Sequence, residues 1–173
     1  MRIIVGLGNI GKEYINTRHN AGFMAIDKLL AGQIARPDSK FEAEIFKSGE
    51  MLLVKPTTFM NESGRAVRKI LDFYKLSIND VVIIHDDLDI DLGEYKIQKG
   101  IGPKVHNGVN SVEECLGSKE FLRVRLGINN RDKNSFGGSG ADYVLTKFTD
   151  DEQEVIGDAI EEAMDELMVA LSL

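Results

Sequence analysis
Residues 81–85 read VVIIH, four β-branched apolar residues in a row with no polar alternation. A strand with one wet face alternates apolar and polar residues, whereas an unbroken run of this kind suits a strand covered on both faces, the usual state of a parallel strand. Outward from this run, apolar periodicity predicts further strands over 2–7, 41–47, 51–55, 94–98 and 122–128. The same reading predicts helices over 21–33, 62–75, 108–117, 140–146 and 150–170. The 41–55 pair reads as an antiparallel addition. Strands alternating with helices imply an α/β fold: a twisted mixed, largely parallel β-sheet flanked by helices, in a single domain over 1–173.

Bulk properties agree with this class. The chain has 173 residues, 43% hydrophobic and 28% charged, enough to bury one sizeable core. The N-terminus has no basic region followed by a sustained apolar run. No stretch nears the roughly 18 apolar residues of a membrane span. A cytoplasmic protein with no membrane association is the expectation. The single cysteine, Cys115, has no internal disulfide partner and reads as helix packing. A net charge of -7 argues superficially against a nucleic-acid partner, but the charge is unevenly placed. Nine of the 28 acids and none of the bases lie in residues 148–173, so the first 147 residues hold 19 acids against all 21 bases. That body is able to carry a basic face.

Two motifs point to cofactors and fail on inspection. IIVGLGNIGKEY (3–14) satisfies the G-x-G-x-x-G spacing of dinucleotide-binding loops. Such a site needs a helix opening at the third glycine, and here the polar stretch KEYINTRHN (12–20) delays the helix to about Ala21. Asp27, the only acid near the expected ribose position, falls inside the helical pattern FMAIDKLL. An NAD-dependent enzyme is therefore the weakest alternative. Asp87, Asp89 and Asp91 have the spacing of a calcium loop, but glycine arrives at loop position seven and position twelve is Gln98 rather than a bidentate Glu.

In open α/β sheets, ligands gather beyond the carboxyl ends of the strands. The polar residues there that neither packing nor turn chemistry requires are Asn9, His19, Asn20, Asn61, His85, Asp86, His106 and Asn107. Each amide also has a structural alternative: Asn9 as a left-handed turn residue, Asn61 and Asn107 as helix N-caps. All three histidines lie in short polar stretches, TRHNAGF, IIHDDLD and KVHNGV.

VGLGNIGKEYINTRHNAGF (5–23), KPTTFMNESG (55–64), HDDLDIDLGE (85–94), VHNGV (105–109) and RVRLGI (123–128) together resemble, in order, the motifs of the bacterial-type peptidyl-tRNA hydrolases. The resemblance implies hydrolysis of the ester between a peptide and the 3'-terminal ribose of tRNA, with no cofactor and no metal. Peptidyl-tRNA is the implied partner and a monomer the implied state. His19 matches the general base and Asp86 the carboxylate that orients it. Asn9, Tyr14, Met60, Asn61, His106 and Asn107 match substrate-binding positions, although Met60 reads equally well as core. A relative that has lost catalysis and only binds RNA is the main alternative, and retention of both His19 and Asp86 favours the enzyme.

Lys96, Lys99, Lys104, Arg123 and Arg125 are the expected tRNA-binding cations. Alternation along RVR places Arg123 and Arg125 on one face, which suggests a phosphate-binding rim. The chain departs from the family where Ile10 replaces a usual proline, KGIGPKVHN (99–107) replaces a glycine-rich run, and Gln98 replaces a common lysine. These changes bear on tRNA contact more than on chemistry. The last helix carries Val155, Ile156, Ala159, Ile160, Ala163, Met164, Leu167 and Leu171 at three-four spacing with acids opposite, so it reads as a packing helix, with a dimer seam as the alternative.

Overall fold
The structure is a computed structural model. It describes residues 1–172, with the side chains of all of these except Lys133 and Asn134. Seven strands form one sheet in the order β2-β3-β4-β1-β5-β7-β6. They are β1 (Arg2–Gly6), β2 (Arg36–Asp38), β3 (Ala43–Ser48), β4 (Met51–Pro56), β5 (Val81–Asp91), β6 (Tyr95–Lys99) and β7 (Leu122–Asn129). The central four, β4, β1, β5 and β7, are parallel, and β2, β3 and β6 join antiparallel at the two margins. The helices are α1 (Ala21–Leu30), α2 (Ser63–Tyr74), α3 (Asn107–Leu116), α4 (Arg131–Asn134), α5 (Gly140–Val144) and α6 (Asp150–Leu171).

Alternate residues of the central strands feed two cores, as the period of two requires. Ile4, Val82, Ile84, Val124 and Leu126 pack under α1 and α6. Ile3, Val5, Leu52, Val54, Val81 and Ile83 pack under α2 and α3. Ile3, Ile4, Val81 and Ile83 have no exposed surface, and each such aliphatic side chain contributes about 1.5–3 kcal/mol. The 81–85 run is thus buried on both sides. The buried face of α6 is Ile156, Ala159, Ile160, Ala163, Met164 and Leu167, in line with the packing reading except that Val155 is exposed and Leu171 only partly buried. Cys115 does not pack: it is exposed on α3.

The opening glycines serve helix packing. A Cβ on Gly6 would lie 2.1 Å from the carbonyl oxygen of Gly22, and one on Gly22 would lie 2.4 Å from that of Ile84. The space a side chain of Gly8 would need is filled by the Phe23 ring, 2.6 Å away. Helix α1 therefore lies directly on β1 and occupies the room that a dinucleotide loop would leave open.

The structure departs from the predicted elements at several places, and α1 ends at Leu30 rather than at 33. Strand β5 runs six residues beyond His85, pairing with β7 through Asp86 and Asp87 and, after a register shift, at Asp91. Strand β2 is an additional short edge strand, where Pro37 is tolerated. The polar stretch before α1 forms two 3₁₀ turns, at 12–14 and 18–20. No helix among the described residues is long and apolar enough to cross a membrane.

Candidate active site
The carboxyl ends of β1 and β5 open into a cavity of about 560 Å³. Asn9, Tyr14, His19, Met60, Asn61, Asp86, His106 and Asn107, eight residues singled out from the sequence, all line it. They come from four stretches of chain, 9–19, 60–61, 86 and 106–107, and Asp86 among them lies within strand β5.

Asp86 lies on the floor and is buried. Its Oδ1 accepts hydrogen bonds from His19 Nδ1 at 2.9 Å and from His106 Nε2 at 2.9 Å, and its Oδ2 lies 3.1 Å from His19 Nδ1. The other nitrogen of His106, Nδ1, accepts from the backbone N–H groups of Gly108 and Val109 at 3.1 and 3.2 Å, capping α3. An imidazole nitrogen that accepts carries no proton, so His106 is held as the neutral tautomer that donates through Nε2. With Nδ1–H of His19 given to Asp86, the Nε2 lone pair of His19 is left for the cavity.

Burial alone would lower the pKa of His19. The charge of Asp86 and the hydrogen bond to it outweigh that, raising it above its ordinary value of 6.5. Burial would likewise raise Asp86, but His19 and His106 hold its carboxyl well below the usual carboxylate range. His85 lies beneath, its ring 5.0 Å from that of His106, with Nδ1 donating to the Asp86 carbonyl at 2.7 Å. Full burial lowers His85 to about 3.

His19, Asp86 and His106 place ligand-type atoms within 4.8 Å of one another. In the tautomers that these hydrogen bonds require, both imidazoles present N–H to one carboxylate oxygen. That donor set suits a hydrogen-bonded triad and does not converge lone pairs on a cation.

The asparagines escape their structural alternatives. Asn9 has its backbone fixed by Asn20, whose Oδ1 accepts from Asn9 N at 2.8 Å and whose Nδ2 donates to Asn9 O at 2.9 Å. The Oδ1 of Asn9 accepts from Met60 N at 3.1 Å, leaving Nδ2 as the free donor. Asn61 does not cap α2, and α3 is capped by His106 rather than by Asn107; both amides are exposed at the mouth. Met60 is both core and lining.

His106 lines the cavity as expected, with its two nitrogens engaged by Asp86 and by the start of α3. One expectation is corrected. The rim of five cations does not form. Arg123 is only 1% exposed and bonds Glu113 at 2.8 Å and the Gly102 carbonyl. Arg125 is 8% exposed and pairs with Asp87 at 2.8 Å and Gln98 at 2.8 Å. They share a face as alternation requires, but that face is covered by α3 and the 100–106 loop. Lys99 lies at the amino end of the sheet, opposite Leu122, and reaches Asn79. Lys96, Lys99 and Lys104 are exposed, Lys104 beside Asp89 at 3.3 Å. Sequence reasoning missed the opposite wall, formed by Leu88, Val144 and Leu145. Apolar residues near a helix carry no signal that separates cleft from core.

The model of the peptidyl-tRNA hydrolase family matches residues 3–173. The peptidyl-tRNA hydrolase of Sulfurimonas denitrificans is 49% identical over 152 residues, 87% of this chain and 79% of its own length. That of Campylobacter fetus is 44% identical over 162 residues, 92% of this chain and 85% of its own. The crystal structure of the enzyme from Acinetobacter baumannii superposes with a TM-score of 0.83 at 34% identity, over 93% of this chain and 83% of that one.

Proposed function
The chain belongs to the peptidyl-tRNA hydrolase family and hydrolyses peptidyl-tRNA, and we propose that His19 activates the water that cleaves the ester between peptide and 3'-terminal ribose. The observation that supports this most directly is the His19 Nδ1–Asp86 hydrogen bond on the cavity floor. It leaves Nε2 as the one basic nitrogen facing the substrate. A proton passes from water to Nε2 as the water oxygen bonds to the ester carbonyl carbon. The carbonyl electron pair moves onto oxygen, where the Nδ2 of Asn9 and the amide of Asn61 donate to it. Collapse expels the ribose 3'-oxygen, which takes the proton back from His19. Asp86 stays ionised throughout and stabilises the imidazolium, the orienting role of a triad acid. Asn107 binds the peptide backbone. Leu88, Val144 and Leu145 give an apolar wall for its side chains, and Lys96 and Lys104 meet tRNA phosphates. The enzyme acts in the cytoplasm as a monomer.

The test incubates the purified protein with N-blocked aminoacyl-tRNA, with and without EDTA. Release of free tRNA that EDTA does not affect, and that His19→Ala abolishes, supports the reading. Binding of tRNA without release would instead identify an inactive relative.

A further inference from the structure
His19 belongs to a three-residue 3₁₀ turn, Arg18–Asn20. So short a turn has almost no intrinsic stability, and its position must be imposed by tertiary bonds. The residue before His19 points the opposite way. Arg18 is 3% exposed, and its Nη2 lies 2.6 Å from Glu152 Oε2 while its Nε donates to Thr146 Oγ1 at 3.0 Å. Its guanidinium carbon lies 4.3 Å from the centre of the Tyr143 ring and 4.9 Å from that of Phe148.

Glu152 sits in the first turn of α6 and gathers several elements. Its Oε2 accepts from Thr149 N at 2.9 Å, completing a capping box, and its Oε1 accepts from Asn130 Nδ2 at 2.8 Å, just beyond β7. The main chain follows the same path: Arg18 N donates to Thr146 O and Phe148 N to Asn16 O, each at 3.0 Å. One carboxylate therefore joins the start of α6, the end of β7 and the turn that carries His19.

We propose that Arg18 and Glu152 are positioning residues for the reaction, a buried ion pair that fixes the 18–20 turn so that His19 reaches Asp86 with Nε2 toward the cavity. The proposal rests on His19 being the base. A displacement of about 1 Å in a reacting group can cost on the order of 100-fold in rate. A planar guanidinium that bonds Glu152 and Thr146 at once and stacks on two aromatic rings holds a turn to that tolerance, and a lysine cannot reproduce it.

The experiment compares Glu152→Gln, Arg18→Lys and Thr146→Val with wild type at 20 °C, where folding is checked by near-UV circular dichroism. Thr146→Val removes one hydrogen bond from the clamp and keeps the ion pair, so it carries the test if the other two fail to fold. The expected result is a kcat lowered roughly 10- to 100-fold in the first two and about threefold in the third, with KM for N-blocked aminoacyl-tRNA within about twofold. In an Asp86→Asn background, Glu152→Gln should lower kcat by less than about threefold further, since the orientation it protects is already lost. A folded Thr146→Val with wild-type kcat, or folded ion-pair variants with lowered melting temperature and wild-type kcat, would overturn the proposal and leave a purely structural pair. His19→Ala run alongside separates the two readings: if that variant is active, the base assignment itself fails.

Discussion
Replacing Asp86 by asparagine tests the arrangement most severely, because it changes one oxygen to NH₂ without changing shape. His106 is locked as a donor by the Gly108 and Val109 amides, so the new amide must present its oxygen to His106. Its NH₂ then takes the position of Oδ2, 3.1 Å from His19 Nδ1 in the native protein. Two donors confront each other there. His19 either keeps its bond to the retained oxygen, 2.9 Å away in the native protein, with the NH₂ crowding it, or moves its proton to Nε2, which removes the lone pair from the cavity. The lost charge adds to this. At about 4 Å between charge centres and an effective dielectric near 20, the imidazolium–carboxylate attraction is about 4 kcal/mol, or roughly three powers of ten in rate. Single-turnover hydrolysis of N-blocked aminoacyl-tRNA should therefore slow by about 10³, rising toward 10⁴ if the tautomer also changes. The pH profile supplies the sign. In wild type the base must be neutral and its pKa is raised, so the acid limb of kcat/KM should lie above pH 6.5. In the variant the charge of the carboxylate is gone and burial remains, so the limb should move down toward and below 6.5. A variant that retains more than a tenth of the wild-type rate, or whose acid limb does not move down, refutes the reasoning.

Substrates with a blocked α-amine should be cleaved far faster than free aminoacyl-tRNA, since the Asn107 amide matches a peptide group and a free ammonium does not; equal rates would contradict this reading of the mouth. Lys104→Ala should flatten the dependence of log K for tRNA on log salt by about 0.7–0.9, one phosphate contact, while Arg125→Ala should instead strand the buried Asp87 and cost about 3–5 kcal/mol in urea unfolding. Gly22→Ala should lower the melting temperature, because its Cβ meets the Ile84 carbonyl at 2.4 Å; a loss under about 1 kcal/mol would show that α1 can lift off β1. His85 is lowered to about 3, so the unfolded chain takes a proton below about pH 6.5 that the folded chain refuses. Its contribution to stability is present above 6.5 and is lost as pH falls toward 3, at up to about 1.4 kcal/mol per pH unit. Urea midpoints should drop between pH 6.5 and 5, and His85→Asn should flatten that drop.

The central strands and five of the helices are legible in the sequence because burial on both faces leaves unbroken apolar runs, and burial on one face leaves three-four spacing. What was not legible is polar residues inside the sheet. Strand β5 reads as ending at His85 because acids follow, yet Asp86 and Asp87 are buried; their partners, two histidines and Arg125, come from distant segments. Arg123 and Arg125 fail in the same way. Alternation fixes that they share a face, but arginine is so seldom buried that the face reads as solvent, and the cover supplied by α3 and the 100–106 loop is a tertiary fact.

The three histidines show why residues that gather around one cavity can be picked out from sequence while their environments cannot. All three carry the same intrinsic pKa near 6.5 and occupy similar polar stretches. The fold gives each a different environment. His19 keeps 12% of its side chain exposed and gains a carboxylate that raises its pKa, which is what the base of the proposed reaction requires. His106 has that same carboxylate on one nitrogen and a helix N-terminus on the other, which fixes its proton on Nε2. His85 has neither a carboxylate side chain nor solvent and stays neutral. Environments that drive like groups apart divide the labour of an acid–base site. Here the division rests on a single carboxylate, because Asp86 raises His19, and it also holds the donor nitrogen of His106. His106→Ala should therefore act through Asp86: it removes one of the two imidazole donors to the carboxylate, leaving Asp86 less firmly held and His19 less well oriented. Loss of kcat with little change in KM is the expected pattern, and a rise in KM alone would return His106 to the role of a substrate ligand.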